Sequence, residues 1–272
     1  MNYYTIPSQP NISAYVRFFW ALEHDACRAA RPYTHRSMAD GCCEMVFHYK
    51  GRFTDIANDG SSSASFTSGV GGPSQHFSRF HTREAFGIFG VYLYPFAIAS
   101  LFGVPASAIA NQQVSLSGLL GQTGVDIEEQ VMLATDNHAR AAILTAFFEK
   151  QLRHGHQQPP AVFNAIGYII KSKGTVTVDA LAQKHFLSTR QFERNFKEFA
   201  GFSPKLYSRI IRFQSAIEKY KDKGRSLTDI AYDCGYYDQS HFIHDVKAFT
   251  GYHPGYYFSG KAEGTEYRNT GA

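Results

Sequence analysis

The chain has 272 residues, 44% hydrophobic and 18% charged, a composition that supports a folded core and excludes a chain disordered throughout. The length fits two domains or one large one. Residues 161–272 hold 16 basic and 11 acidic side chains, whereas residues 1–160 hold 11 and 12, so the net charge of +4 comes from the C-terminal part. This asymmetry favours a C-terminal module that faces nucleic acid and is joined to something else.

The first third of the chain alternates short β-type runs with clusters of turn-forming residues. We predict strands over Ala14–Leu22, Cys43–Tyr49 and Ile88–Tyr94, which are rich in Val, Phe and Tyr. The run Gly87–Val104 is long and uncharged enough to imitate a membrane span, but Pro95 divides it. We therefore predict a buried strand that ends at Pro95, followed by a short buried helix, and no membrane segment.

The pattern becomes helical further along the chain. Apolar residues have helical spacing over Glu128–Leu152, and Arg153–Pro160 then lacks an apolar pattern and ends in two prolines. We predict an N-terminal sensory or dimerisation domain over 1–155, a DNA-binding domain over 161–259 and a flexible tail over 260–272. The predicted class is α+β: a small β-barrel-like domain with helices, then an all-α domain of two helix-turn-helix units joined by a long helix.

An internal repeat dominates the C-terminal part. Residues 179–204 and 229–254 align without a gap at an offset of 50, so that Gly201 matches Gly251 and Gly235 matches His185. Each copy predicts two helices around a tight turn. A further helix is predicted over Ala161–Ser172, and the long helix that joins the two copies over Ser203–Lys221. Ser188, with Gln191 as its capping-box partner, and Asp238 are the predicted N-caps of the second helices.

The second helix of each copy carries a polar, partly basic face opposite its buried phenylalanines. A helix of this kind fits the DNA major groove, where Arg reads guanine and Gln reads adenine. Two copies in register favour DNA binding over a helical bundle with a solvated face. The predicted DNA-binding residues are Arg190, Gln191, Glu193, Arg194 and Lys197 in the first copy, and Gln239, Ser240, His241, His244 and Lys247 in the second.

A set of short motifs in the C-terminal part identifies a family. They are Ser188–Arg194, Gly201–Pro204, Arg212–Phe213, Leu227–Ala231, Cys234–Tyr236, Asp238–Phe242 and Gly251–Pro254. With these motifs, residues 161–259 resemble the DNA-binding domain of the AraC/XylS family of bacterial transcription regulators. The resemblance implies two helix-turn-helix units docked in successive major-groove segments. The family usually has Arg, a spacer and Phe where this chain has His244, Asp245 and Val246, which leaves the strength of the second contact open.

The N-terminal part has a less specific resemblance. Its motifs are Asp40–Phe47, Tyr94–Ala97 and Leu101–Ala106, and they are similar to those of an uncharacterised N-terminal domain found in a subset of the same regulators. That likeness implies a small β-barrel followed by helices, which senses a ligand or dimerises. Ala39 stands where the family usually has proline, so the local turn is expected to differ.

The N-terminal part also contains residue types that could carry other chemistry: His35, Cys42, Glu44, His48, His76 and His81. They show no His-x-His pair, so we predict scattered histidines and no metal. Cys42 and Cys43 lack a recognisable His/Asn partner pattern and are predicted to be core thiols. We expect no cofactor and no catalytic residue. Scattered cysteines and an N-terminus without signal features predict a reduced, cytoplasmic protein.

These observations predict a sequence-specific DNA-binding transcription regulator, an activator and a homodimer, and not an enzyme. Double-stranded DNA is the expected partner, and RNA polymerase and a small-molecule effector are candidates. Two alternatives stay open: a constitutive DNA binder whose N-terminal domain only dimerises, and a regulator whose N-terminal domain is catalytic. The sequence identifies neither the effector and its binding residues nor the operator.

Overall fold

The computed structural model describes residues 1–25, 32–57, 59–154, 161–220, 226–259 and 261–263. Cys27, the predicted boundary at 155–160 and most of the predicted tail over 260–272 lie outside these residues. Below, the N-terminal half means residues 1–154 and the C-terminal half means residues 161–263.

Two antiparallel sheets form the base of the N-terminal half. The larger has the strand order β1-β2-β9-β4-β7-β10 and the smaller the order β3-β8-β5-β6. The strands are β1 (Asn2–Pro7), β2 (Val16–His24), β3 (Tyr33–Ser37), β4 (Cys43–Lys50), β5 (Thr54–Ile56), β6 (Ser62–Ala64), β7 (Ser68–Gly71), β8 (Ser78–Thr82), β9 (Phe86–Leu93) and β10 (Gln113–Ser115). The three strands predicted from sequence are confirmed as β2, β4 and β9.

Strand β9 is buried along almost its whole length because both faces of the larger sheet are covered. On one face, Trp20 of β2 packs in a cluster with Phe53 and Phe80. On the other, Phe19 and Phe89 stack with ring centroids 6.0 Å apart and join a cluster with the helices. The uncharged run is therefore a buried strand followed by a short helix, as predicted. In the described part of the chain, no helix has the length and apolarity that crossing a membrane requires.

The helices of the N-terminal half are α1 (Ala97–Phe102), α2 (Leu116–Leu120), α3 (Gln122–Leu133) and α4 (Asn137–His154). The helical pattern predicted over Glu128–Leu152 is thus divided between α3 and α4. Asp136 causes part of this break, because its carboxylate accepts a hydrogen bond of 2.8 Å from the backbone N–H of Ala139 at the start of α4. Arg140 donates to the carbonyl oxygens of Val131 and Ala134, at 3.2 and 3.1 Å, and so satisfies the end of α3.

The C-terminal half is helical, with α5 (Ala161–Lys171), α6 (Val178–Lys184), α7 (Thr189–Ala200), α8 (Pro204–Tyr220), α9 (Leu227–Asp233), α10 (Gln239–Thr250) and α11 (Pro254–Phe258). The two helix-turn-helix units are α6–α7 and α9–α10, and α8 joins them. Ser188 and Gln191 form the predicted capping box, and Asp238 caps α10. Gly201 and Gly251 end α7 and α10 in the left-handed conformation, with φ of 82° and 77°.

The ungapped alignment of the two copies is wrong for the first helix of each unit. Thr177 is the N-cap of α6 and Ser226 is the N-cap of α9, an offset of 49 rather than 50. The counterpart of Gly235 in the turn is consequently Phe186, not His185. Phe186 has a positive φ of 54°, against 76° for Gly235. The turn of the second unit is therefore one residue longer, a difference that the sequence match alone hides.

Helix α8 is buried on two faces, whereas the sequence predicts one apolar stripe. Ile210 and Phe213 pack in the core of the second helix-turn-helix unit, as their spacing predicts. Tyr207 and Ile211 pack instead against the N-terminal half. The ring of Tyr207 lies so close to Gly41 that a β-carbon at position 41 would be 2.8 Å from its Cε2 atom. The linking helix is therefore held between the two halves.

The hydrophobic core also continues across the predicted domain boundary. Phe163 of α5 packs edge-on against Tyr15, with ring centroids 5.7 Å apart. Leu181 and Phe192 of the first helix-turn-helix unit belong to the same buried cluster as the larger sheet, while the second unit builds a separate cluster around Phe242. The bounds of separate domains stay a prediction.

Candidate DNA interface

The polar face of α7 is open to solvent. Arg190, Arg194 and Lys197 are spaced four and three residues apart, which puts them on one side of the helix. All three are exposed, as is Glu193, and the three cations make no ion pair with any residue that the structure describes. Gln191 is also exposed, but its side-chain oxygen accepts hydrogen bonds from the backbone N–H and the hydroxyl of Ser188 at 3.3 and 3.0 Å. The side chain of Gln191 is therefore already engaged in the capping box of α7.

The polar face of α10 is equally exposed but carries less fixed positive charge. Its exposed side chains are those the sequence predicts: Gln239, Ser240, His241, His244 and Lys247. Lys247 is the single lysine or arginine in the sequence of this helix. The His244 side chain is 71% exposed, and its Nδ1 atom lies 3.5 Å from the Oδ1 atom of Asp245. The two recognition helices, as we call α7 and α10, thus present unequal charge.

Asp245 itself faces inward and fixes α10 on the linking helix. It is 3% exposed and accepts two hydrogen bonds from the guanidinium of Arg209 in α8, at 2.6 and 3.2 Å. The same guanidinium lies 5.6 Å from the centre of the Phe249 ring. A buried carboxylate that loses such a partner is strongly destabilising. Sequence analysis identified Asp245 only as a departure from the family pattern. It did not predict the pair with Arg209, because the two residues lie 36 positions apart in the chain.

The N-terminal half contacts the C-terminal ends of both recognition helices. A β-carbon at Gly201, which ends α7, would be 3.0 Å from Pro73, and one at Gly251, which ends α10, would be 2.5 Å from the ring of Phe77. Helix-turn-helix proteins read bases with the N-terminal residues of the recognition helix. The docked N-terminal half therefore leaves both recognition faces uncovered.

The histidines, cysteines and Glu44 that were weighed above as metal ligands or nucleophiles are not grouped into a metal site or a nucleophilic site in the part of the chain that the structure describes. Within the described ranges, no group of three or more His, Cys, Asp or Glu side chains is placed to hold a metal ion. Cys43 begins strand β4 of the larger sheet, Cys42 directly precedes it, and both are buried. Burial raises the pKa of Cys42 to about 12 and that of Cys43 well above its ordinary value, so both remain protonated thiols.

Two known protein families match separate parts of this chain. Residues 4–115 match the family described as a domain of unknown function, DUF6597, and residues 181–260 match the family described as a helix-turn-helix domain. The chain is 28% identical over 142 residues to the HTH-type transcriptional activator RhaS of Salmonella arizonae, covering 52% of this chain and 42% of the relative. It is 37% identical over 67 residues to RhaS of Escherichia coli, 25% of this chain and 24% of the relative. The match therefore spans less than half the length of these relatives.

Among solved structures, ToxT from Vibrio cholerae superposes with a TM-score of 0.50 and 14% sequence identity, over 84% of this chain and 97% of that protein. This likeness supports the α+β fold class. The helix-turn-helix match, over residues 181–260, includes both recognition helices. The chain therefore combines a DUF6597 domain with a helix-turn-helix domain of the AraC type, and it is homologous to the RhaS transcriptional activators.

Proposed function

We propose that the chain is a sequence-specific DNA-binding transcription regulator that places α7 and α10 in successive major-groove segments of double-stranded DNA. The observation that carries this proposal is the exposure of both recognition faces while the N-terminal half is docked on the helix ends behind them. Because the relatives are named as transcriptional activators, activation is the direction we propose.

The two recognition helices contribute unequally in this proposal. Helix α7 presents Arg190, Arg194 and Lys197, so it supplies most of the permanent positive charge at the groove. Arg194 is the base-reading candidate, and Glu193 shapes the preference beside it. Helix α10 offers Gln239, Ser240 and His241 at its N-terminal end for hydrogen bonds to bases, with His244 and Lys247 further along. The first unit then dominates affinity and the second adjusts it.

The N-terminal half controls this binding in the proposed function, through a small-molecule effector and through assembly into a homodimer. The regulator works in the cytoplasm, contacts RNA polymerase and acts by binding rather than by catalysis. Two alternatives predict different results. A constitutive binder has an N-terminal half that only dimerises, so no small molecule alters its DNA affinity. A regulator with a catalytic N-terminal half converts a small molecule that it binds.

Selection of duplexes from a randomised DNA pool by the full chain tests the core of the proposal. We expect enrichment of a defined sequence, and a salt titration on it whose log–log slope gains about −0.9 for each phosphate contacted. Replacing Arg190, Arg194 and Lys197 together by Gln should abolish enrichment. The matched control replaces Lys150 and Arg153, exposed cations of α4, by Gln and should retain it. No enrichment by the wild type, or a slope near zero, would refute DNA binding.

A further inference from the structure

We propose that a cavity between the N-terminal half and helix α8 binds a small organic cation, an amine or a quaternary ammonium. This interface cavity has a volume of about 340 Å³ and is lined by residues of strands β1, β2, β3, β4 and β9, of the segment that follows β3, and of α8. The binding part of the proposal stands by itself. Its regulatory part, that the cation alters DNA binding, rests on the proposed function.

The interface cavity has the size and the walls that a small cation requires. Its volume lies within the range of small-molecule pockets, about 300–1,000 Å³. Phe18 and Tyr92 stack with ring centroids 5.0 Å apart, and Tyr3 and Trp20 lie 6.3 Å apart on the same wall. Phe213 of α8 adds a ring from the C-terminal half. Aromatic faces attract ammonium groups, most strongly where water is excluded.

Glu44 places a carboxyl group in this wall, and no cation of the described chain is paired with it. The groups that act on its carboxyl are Asp40 and the indole N–H of Trp20, and neither is a cation. The Trp20 nitrogen is buried and makes no hydrogen bond of normal geometry. Burial, together with the nearby charge of Asp40, raises the pKa of Glu44 to about 8. A bound cation would offset the unfavourable free energy of ionising Glu44 at this buried position, and it would hold the carboxyl ionised.

Asp40 and Arg17, the other charged groups on this wall, are already engaged. Asp40 accepts hydrogen bonds from the Tyr92 hydroxyl and from the backbone N–H of Cys42. Arg17 donates to the Cys42 sulfur at 3.2 Å, and the negative charge of Asp40 also stabilises its guanidinium. The positive charge of Arg17 therefore balances the negative charge of Asp40, and Glu44 has no counter-ion among the described residues. The arrangement disfavours an anion, which would face the carboxyl groups of Asp40, Glu44 and, on α8, Glu218.

Helix α8 gives the interface cavity a route to the DNA-binding units. Phe213, Gln214 and Ile217 of α8 line the cavity, and α8 is the helix that joins the two helix-turn-helix units. A cation seated against Glu44 would contact both halves of the chain at once. Occupancy then changes how tightly the halves dock, and with it the relative placement of α7 and α10.

The single tryptophan of the chain, Trp20, lies in the cavity wall and reports binding directly. The full chain is titrated with choline and with benzyltrimethylammonium while its fluorescence is followed. Each compound is paired with its uncharged isostere, in which a tert-butyl carbon replaces the nitrogen. We expect saturable binding of at least one cation, with an affinity at least about tenfold higher than that of its isostere. Equal affinities, or no saturable change with either cation, would overturn the proposal without any variant.

Glu44→Gln keeps the shape of the side chain and removes its charge. We expect this variant to lose most of the preference for the cation over its isostere and to keep only the part that the aromatic rings supply, while Glu129→Gln, a control at an exposed position of α3, keeps the wild-type preference. A preference that Glu44→Gln leaves undiminished overturns the role of Glu44. DNA affinity, measured with and without the saturating cation on the selected duplex, tests the regulatory part. Unchanged affinity overturns regulation alone, and an absence of DNA binding defeats the proposed function while the fluorescence result still stands.

Discussion

Arg36 and Tyr252 stack across the contact between the two halves, with the guanidinium carbon 4.3 Å from the ring centre and Nη1 3.1 Å from the hydroxyl oxygen. The guanidinium carbon also lies 4.0 Å from the centre of the Phe77 ring. Nε and Nη2 both donate to the carbonyl oxygen of Thr250, at 3.0 and 2.8 Å. Thr250 is the last residue of α10, where helix carbonyls lack partners and positive charge is favourable. Arg36, a residue of the N-terminal half, thus supplies hydrogen-bond donors to the C-terminal end of the second recognition helix.

We expect Arg36→Lys to lower the free energy of unfolding by about 1–3 kcal/mol, measured by urea denaturation. Lysine keeps the charge but cannot reproduce the forked pair of bonds to one carbonyl or the contacts of a planar guanidinium with two aromatic rings. Arg83→Lys, at an exposed position of the N-terminal half, is the matched control and should change stability by less than about 0.5 kcal/mol. Equal effects in the two variants would show that the Arg36 contact contributes nothing to docking.

Gly41→Ala tests the second contact between the halves. A β-carbon there would lie 2.8 Å from Cε2 of Tyr207 and 3.2 Å from Cδ1 of Ile211, so the Tyr207 ring or α8 must shift. We expect a loss of about 1–3 kcal/mol in thermal or urea unfolding, and a smaller loss when the same change is made in a Tyr207→Ala background, where the ring is absent. The control Gly167→Ala, in α5, meets no atom within 4 Å and should be neutral or stabilising. A neutral Gly41→Ala would mean that Tyr207 is not tightly seated.

Local signals in the sequence predicted much of the candidate interface. The capping box at Ser188, the N-cap Asp238 and the glycines that end α7 and α10 all act within a few residues of themselves, so their pattern suffices. The apolar spacing of each recognition helix likewise fixes which face is exposed. The repeat match failed by one residue in the turn because Phe186 adopts the conformation for which Gly235 is suited, and residue identity did not reveal it.

The contacts between the halves could not be predicted in this way. Arg36 and Thr250 are far apart in the chain, and an arginine on strand β3 has no local feature that separates it from a solvated one. Tyr207 and Ile211 fall outside the stripe that packs α8 on the second unit, so the second buried face was missed. The interface cavity depends on these packing relationships, which is why Glu44 was weighed from sequence only as a metal ligand.

Arg194→Ala and Lys197→Ala should separate base readout from phosphate contact. If Arg194 reads a base, its loss should cost about 1–3 kcal/mol on the selected duplex and relax preference at one base pair. Lys197→Ala should weaken all sequences alike and reduce the salt slope by about one unit. Selection profiles and salt titrations of both variants provide the measurement, with Lys150→Ala in α4 as control. An unchanged profile in Arg194→Ala would reject its assignment to readout.

Glu44 should make the stability of the wild type fall as pH rises. Burial raises its folded pKa to about 8 from an ordinary value of 4.5, so the folded chain holds this proton more tightly than the unfolded chain does. Between these values the unfolded chain releases the proton first, and stability is lost at up to about 1.4 kcal/mol per pH unit. Below the lower value the group is protonated in both states, and its contribution is constant. The other charged or titratable groups lining the cavity are Tyr3, Arg17, His35, Asp40, Tyr92 and Glu218.

Glu44→Gln removes this titration and leaves those other groups in place. The difference in unfolding free energy between Glu44→Gln and the wild type should therefore grow in favour of the variant from about pH 5 to pH 8 and then level off. Urea denaturation at a series of pH values gives this difference directly, and contributions from groups common to both chains cancel in it. The difference between Glu129→Gln and the wild type should stay flat, since Glu129 is exposed. A flat difference for Glu44→Gln as well would show that the Glu44 carboxyl is solvated, and that the interface cavity holds no carboxyl in need of a cation.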